Sequence, residues 1–176
     1  PLAYKNNVQI FCLEPDPINF SFLKKNIQIN NLEKKIIPLK KALYFNNDSV
    51  NFNIGDATTR GNISEIGFYK AKTNPNVIEV ETISIDKLVA ENNIDNIDIL
   101  KIDCEGSEFF FIKSFSDEIF QKISNIFIEI HPLDDESKNP IDLIDFIKSK
   151  GFTVKYNFLE NGCYECYFKK SIIWKF

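Results

Sequence analysis

The chain has 176 residues, of which 44% are apolar and 26% charged, and its formal net charge is -4. This composition is typical of a folded domain with a substantial core and excludes a disordered or fibrous protein. Because the balance is acidic and no run of Lys and Arg exceeds two residues, nucleic-acid binding through a phosphate-backbone footprint is not expected.

Membrane and export signals are not visible in the sequence. The apolar run Phe109–Ile112 is far shorter than the roughly 20 residues that a membrane span requires, and no basic and then apolar leader is seen at Pro1. A chain with a rich core does not need its four cysteines as disulfides, so a reducing cytoplasm is expected. Because the sequence contains no Met, we interpret it as a single domain over residues 1–176, truncated at its N-terminus.

The first half of the chain predicts a strand, a helix and two further strands. Asp16 followed by Pro17 is a typical helix start, and Asn30 and the residue after it end the helix. Residues 55–76 show little periodicity and predict a long surface loop. The predicted strands are Val8–Leu13, Ile36–Leu39 and Val50–Ile54.

The second half alternates strands with helices and ends in a β-hairpin. The hairpin begins at Phe152, and its turn is predicted at Asn161-Gly162. Strands that are apolar on both faces, alternating with helices, indicate an α/β domain with a mostly parallel sheet. The predicted strands are Val77–Ile83, Asp98–Asp103 and Ile126–Ile130, and the predicted helices are a short one capped by Ser84, Gly106–Phe115 and Ile141–Lys150.

Acidic or titratable residues follow three of the predicted strands. Glu14 follows the first strand, Asp103 and Glu105 follow the strand that begins at Asp98, and His131, the only histidine, follows the next one. Open parallel sheets bind their ligands beyond the carboxyl ends of the strands. We therefore predict a site at this edge, with Asp103, Glu105 and His131 as the catalytic candidates.

Each candidate has an alternative interpretation. Glu14 stands where nucleoside-binding folds place a carboxylate for ribose hydroxyls, but it could equally be a solvated turn residue. Glu108 would be favoured in the first turn of a helix by the helix dipole, without any catalytic role. His131 could be a structural loop residue. Cys163 and Cys166 form a lone CxxC, which we interpret as two ordinary thiols of a strand rather than as metal ligands.

Several common motifs are missing. The six glycines form no GxGxxG and no P-loop, so no phosphate-cradling turn is visible. No Ser stands in a GxSxG nucleophile elbow.

Five stretches of the chain resemble the FkbM family of S-adenosylmethionine-dependent methyltransferases, in family order. The combination of EPDP, which begins at Glu14, with KIDCEGSE, which begins at Lys101, is the most specific part. The stretches are Phe11–Leu32, Pro38–Asn47, Val80–Val89, Ile99–Ser114 and Ile126–Pro132. The resemblance implies a Rossmann-like class I methyltransferase fold with an antiparallel last strand.

The resemblance also implies roles for individual residues. Glu14 would hold the cofactor ribose, Ala42 would lie near the adenine, and Asp103 would contribute to both cofactor binding and catalysis. Asp103 and Glu105 would face the methyl-transfer cleft, with His131 on its far side. The cofactor would be S-adenosylmethionine and the substrate a hydroxyl group of a sugar or small metabolite, and no metal-binding residue is predicted.

One departure from the family pattern leaves other functions open. Family members carry a first strand and a glycine-rich turn before the EPDP strand, and this chain begins after that point, with Pro1–Lys5 corresponding to the end of the first helix. A non-catalytic binding module is therefore an alternative to a methyltransferase. A hydrolase that uses Asp103 and Glu105 as ligands of a hard metal ion is a less favoured alternative.

Overall fold

The computed structural model describes residues 8–54, 62–63, 76–133, 139–159 and 162–171. Strands and helices alternate in the second half of this part of the chain, whereas five strands follow one another in the first half. The strands are β1 (Ile10–Leu13), β2 (Ile36–Leu39), β3 (Ala42–Leu43), β4 (Ser49–Ile54), β5 (Asn62–Ile63), β6 (Asn76–Ile83), β7 (Leu100–Ile102), β8 (Asn125–Ile130), β9 (Phe152–Phe158) and β10 (Tyr164–Lys170). The helices are α1 (Pro17–Ile29), α2 (Ile85–Glu91), α3 (Glu108–Phe111), α4 (Asp117–Lys122) and α5 (Pro140–Ser149), and a 3-10 turn (Ile112–Ser114) follows α3.

The described strands form three sheets. β1 and β2 pair in parallel, and a second sheet has the order β3-β6-β4-β5. The third sheet has the order β7-β8-β10-β9, in which β7 and β8 are parallel while β10 is antiparallel to both of its neighbours. The predicted C-terminal hairpin is thus confirmed. The sheets are more mixed than predicted, because β4 is antiparallel to both β5 and β6.

The main hydrophobic core covers one face of the β7-β8-β10-β9 sheet. Alternate residues of β8, Ile126, Ile128 and Ile130, are almost completely buried, as are Cys166 and Phe168 of β10. Since side chains alternate between the faces of a strand, the intervening residues point to the opposite face. This alternation places Glu129 and His131, the residue that follows Ile130, away from the main core.

A partly buried lysine fixes the end of the C-terminal hairpin. The Lys170 Nζ donates to the carbonyl oxygen of Phe120 at 3.2 Å and to that of Lys150 at 2.8 Å, and it lies 4.5 Å from the centre of the Phe152 ring. Lys170 therefore links β10 to the ends of α4 and α5, where unpaired carbonyls need donors. Burial lowers the pKa of this lysine.

Asp16 begins α1 as the sequence predicts. Its buried carboxylate accepts the backbone N–H groups of Ile18 at 2.7 Å and Asn19 at 3.0 Å, and Pro17 occupies the first helical position. Asn139 begins α5 in the same way, but its exposed side chain accepts only the N–H of Ile141, at 2.9 Å. The two caps therefore differ in the number of helix donors that they satisfy.

We expect Asp16→Ala to destabilise the protein by about 1 to 2 kcal/mol, near the upper end for loss of a helix cap, since two donors lose their acceptor. The matched variant Asn139→Ala is expected to cost only about 0.5 to 1 kcal/mol. Denaturant unfolding of both variants measures the difference. Equal losses would contradict the role assigned to the second hydrogen bond of Asp16.

The structure corrects several predicted boundaries. The predicted helix Gly106–Phe115 is interrupted: it consists of α3 and the 3-10 turn, and Phe115 then adopts an extended conformation. α4 was not predicted. Within the predicted loop 55–76, the described Asn62–Ile63 form β5 and Asn76 begins β6; the rest of that loop lies outside the described residues, as do Pro1–Lys5 and Asn161.

The remaining predicted elements are present with shifts of one or two residues at their ends. The strand predicted at Asp98–Asp103 is shorter, Leu100–Ile102. In the part of the chain that the structure describes, no helix has the length and apolar character needed to cross a membrane.

Candidate functional site

A tight turn follows β7 and brings three acidic residues into one short segment. Glu105 and Gly106 both have positive φ angles, 51° and 102°. Gly adopts this left-handed region without strain, whereas a residue with a side chain does so at a cost. The turn reverses the chain so that the N–H of Ser107 bonds to the carbonyl oxygen of Cys104 at 3.2 Å.

Glu108 lies at the base of this turn and is completely buried. Its Oε1 accepts the backbone N–H of Cys104 at 2.9 Å, whereas its Oε2 has no hydrogen-bond partner among the described residues. A buried carboxylate is costly unless opposite charge or donors compensate it. The interpretation of Glu108 as a simple first-turn residue is therefore incomplete, because its side chain points into the protein.

His131 is the centre of the acidic cluster. Its Nδ1 lies 3.4 Å from Glu108 Oε1, and its Nε2 lies 3.6 Å from Glu105 Oε2 and 3.5 Å from Glu129 Oε1. Burial alone would lower the pKa of His131, but the hydrogen bond to Glu108 and the charges of the three glutamates outweigh it, and the pKa is raised. His131 is thus held between carboxylates on both sides of its ring.

Cys163 joins the cluster from the far end of the chain. β10 pairs with β8 so that Tyr164 lies opposite Ile130, which places Cys163 next to His131. The potential ligand atoms of Glu129, His131 and Cys163 all lie within 4.8 Å of one another. Burial raises the pKa of the Cys163 thiol, and the nearby glutamates raise it further.

Asp103 stands at the exposed rim of the same cluster. Its side chain is 44% exposed, and Lys101 Nζ lies 3.4 Å from its Oδ2. One ligand atom each from Asp103, Glu105 and His131 also fall within 4.8 Å of one another. The structure therefore brings together the three residues that the sequence selects as catalytic candidates.

Glu14 follows β1 and does not contact this cluster. Its Oε1 accepts the N–H of Asp16 at 2.9 Å, and no other hydrogen bond or ion pair of Glu14 is found in the described part of the chain. Burial raises the pKa of Glu14, the hydrogen bond from the Asp16 N–H opposes this, and the charge of Asp16 adds to it. One carboxylate oxygen is thus held by a backbone donor, and no partner of the other is found in the described part of the chain.

Ala42 lies in a smaller core beside the second sheet. It is buried against Tyr44, Phe52 and Val80, and it pairs with Thr82 across β3 and β6. The structure therefore places Ala42 three residues after the end of β2, in a buried position.

Three members of the cluster were not selected from the sequence: Glu108, Glu129 and Cys163. The signal for Glu108 is its position before Phe109–Phe111, since a carboxylate inside an apolar segment must find buried partners. The CxxC interpretation is confirmed for Cys166, a buried strand residue, and both thiols are free. Cys163 lies one residue before β10 rather than in the strand, and its neighbours are Glu129 and His131.

Comparison with known proteins provides a family and a fold. The model of the Methyltransferase FkbM domain matches residues 3–154 of this chain. The hexuronic acid methyltransferase AglP of Haloferax volcanii is 26% identical over 122 residues, which are 69% of this chain and 47% of that protein. The chain therefore spans about half the length of this curated relative.

Among solved structures, the methyltransferase FkbM of Methylobacillus flagellatus KT has a TM-score of 0.53 at 16% identity. The match covers 92% of this chain and 36% of that chain. The human methyltransferase 10 domain containing protein has a TM-score of 0.47 at 14% identity, over 96% of this chain and 63% of its own. The first of these matches confirms the predicted Rossmann-like methyltransferase fold.

Proposed function

This chain belongs to the FkbM methyltransferase family, and from that premise we propose that it transfers a methyl group from S-adenosylmethionine to a hydroxyl oxygen of a sugar. The observation that carries the proposal is the cluster of Asp103, Glu105 and His131 at the carboxyl ends of two adjacent parallel strands. Ligands of open α/β sheets bind at such ends. A sugar is favoured over other acceptors by the similarity to a hexuronic acid methyltransferase.

Glu14 fits the ribose of the cofactor. Its half-buried carboxylate is held by one backbone N–H, and a carboxylate has further lone pairs with which its second oxygen would accept hydrogen bonds from a ribose hydroxyl. The strand before it and the helix after it fix the position of the carboxylate. We assign Ala42, which follows the neighbouring parallel strand, to the adenine side of the same site.

When bound, S-adenosylmethionine supplies a methyl group activated on a positively charged sulfur, so that a carbon–oxygen bond forms as the carbon–sulfur bond breaks and S-adenosylhomocysteine is left. The protein has to align the acceptor hydroxyl and accept its proton. We assign the proton to Asp103, whose carboxylate lies at the accessible rim of the cluster. Glu105 and His131 stand beside it and orient the acceptor.

Titration of the protein with S-adenosylhomocysteine, followed by calorimetry, tests the cofactor assignment. We expect Glu14→Ala to weaken binding by about 1 to 3 kcal/mol, the scale for hydrogen bonds to a charged group. Glu33→Ala, an exposed glutamate in the turn after α1, is the control and should leave the affinity unchanged.

Two results would overturn the proposal at different levels. An unchanged affinity of the Glu14 variant would remove Glu14 from the site. A protein that neither binds S-adenosylhomocysteine nor methylates a hexuronic acid acceptor would favour the non-catalytic binding module instead.

A further inference from the structure

We propose that Glu129, His131 and Cys163 form a binding site for a divalent cation of the zinc type. The site goes beyond the proposed methyl transfer but shares His131 with it, so that a bound cation would hold the imidazole that faces the acceptor; its occupation requires no methyl donor. Its three side chains come from the end of β8, the residue after β8 and the residue before β10, so that two segments distant in the sequence contribute to one site.

The separation of His131 Nε2 from Glu129 Oε1 fits two ligands of one tetrahedral ion. Zinc binds nitrogen and oxygen ligands at about 2.0 to 2.1 Å, which separates two such ligands at tetrahedral corners by about 3.4 Å. His131 Nε2 lies 3.5 Å from Glu129 Oε1 and 3.6 Å from Glu105 Oε2. The thiol completes the set, since Glu129, His131 and Cys163 offer ligand atoms within 4.8 Å of one another.

Glu108 provides an independent indication of a cation. A metal-binding histidine usually donates its second ring nitrogen to a carboxylate, which fixes the ring and its tautomer. Glu108 Oε1 lies 3.4 Å from His131 Nδ1, on the side of the ring away from the other glutamates. Its Oε1 is therefore placed to orient the imidazole. Glu108 is also completely buried, and its Oε2 has no partner in the described part of the chain.

The charge of the cluster favours the same conclusion. Three carboxylates, those of Glu105, Glu108 and Glu129, surround one imidazole, so that among these four side chains even a protonated His131 leaves an excess of negative charge. Two of the surrounding side chains, Glu108 and Cys163, are buried. A divalent cation would neutralise the excess and stabilise the thiolate form of Cys163.

The ligand types select zinc over magnesium. Thiolate and imidazole are ligands of zinc and of related transition metals, whereas magnesium prefers oxygen ligands alone. The alternative is a hard cation such as magnesium, held by Asp103, Glu105 and His131 without a thiolate. Cys163 is therefore the residue that distinguishes the two possibilities.

Titration of the metal-free protein with Co²⁺ tests the site, because a cobalt–thiolate bond gives a near-ultraviolet charge-transfer band that oxygen and nitrogen ligands do not give. We expect one equivalent to bind with this band and to be displaced by Zn²⁺. Cys163→Ser should lose the band, whereas Cys12→Ser, at a half-buried cysteine of β1, should retain it.

Two further variants separate loss of ligation from loss of folding. Glu129→Gln changes a half-exposed ligand, and Glu108→Gln removes no ligand; each is expected to weaken Co²⁺ binding by about 10- to 100-fold. Glu118→Gln, at an exposed residue of α4, should bind Co²⁺ as the parent does.

Three results would overturn the site: no uptake of Co²⁺ or Zn²⁺, a band that persists in Cys163→Ser, or binding of Mg²⁺ alone. Binding of S-adenosylhomocysteine is measured separately on the same samples, so that failure of the metal site and failure of the proposed function are distinguishable.

Discussion

Asp103→Asn is expected to slow methyl transfer by a factor of about 10² to 10⁴, the range associated with a positioned acid or base. An amide cannot accept the proton of the acceptor hydroxyl, although it keeps the size of the carboxylate. The affinity for S-adenosylhomocysteine should change far less than the rate. Transfer to a hexuronic acid acceptor, followed at saturating cofactor, separates the two effects.

The control for this variant lies at the opposite end of the same strand. Asp98 is exposed and precedes β7, so Asp98→Asn makes the same chemical change away from the cluster and should leave the rate unaltered. If Asp103→Asn instead weakened cofactor binding and kept the rate of the bound complex, Asp103 would be a binding residue without a role in proton transfer.

Glu108→Ala is expected to lower the free energy of unfolding by about 2 to 4 kcal/mol, because it leaves a cavity and removes the acceptor of a buried N–H group. The N–H concerned is that of Cys104, which bonds to Glu108 Oε1 at 2.9 Å. The side chain of Glu108 has no exposure to solvent, so that water cannot easily replace the lost acceptor.

Glu108→Gln provides the comparison that separates charge from shape. The amide oxygen can still accept the Cys104 N–H, and loss of a buried negative charge offsets the weaker contact with His131. We therefore expect a change within about 1 kcal/mol. Denaturant unfolding measures the change in the free energy of unfolding for both variants. An equal decrease in both would show that the charge of Glu108, rather than its shape, stabilises this region.

Local signals made much of the fold predictable. Asp16 and Pro17 specify a helix start through neighbouring residues alone, and the apolar segments at β1, β2 and β8 are short and bounded by turn residues. The break after the 3-10 turn was not predictable in this way. Phe115 continues the helical apolar pattern, but Ser116 caps a new helix through its bond to the Ile119 N–H, and this cap prevails.

The candidate site was predictable only where its residues follow predicted strands. Asp103, Glu105 and His131 do so, and the structure brings them together. Glu108 and Cys163 enter the cluster through burial and through the pairing of β10 with β8, which depend on distant parts of the chain. Patterns of neighbouring residues carry no information about such pairings.

The pairing of β10 with β8 also has a consequence for the order of folding. Cys163 reaches His131 only after two strands far apart in the sequence have found their register. Contacts between distant parts of a chain form slowly, because closing the loop between them costs entropy before any stabilising contact is made. The cluster is thus completed late, when the C-terminal hairpin docks. A ligand held there would favour the docked hairpin by mass action, so that occupancy and completion of the native state would rise together.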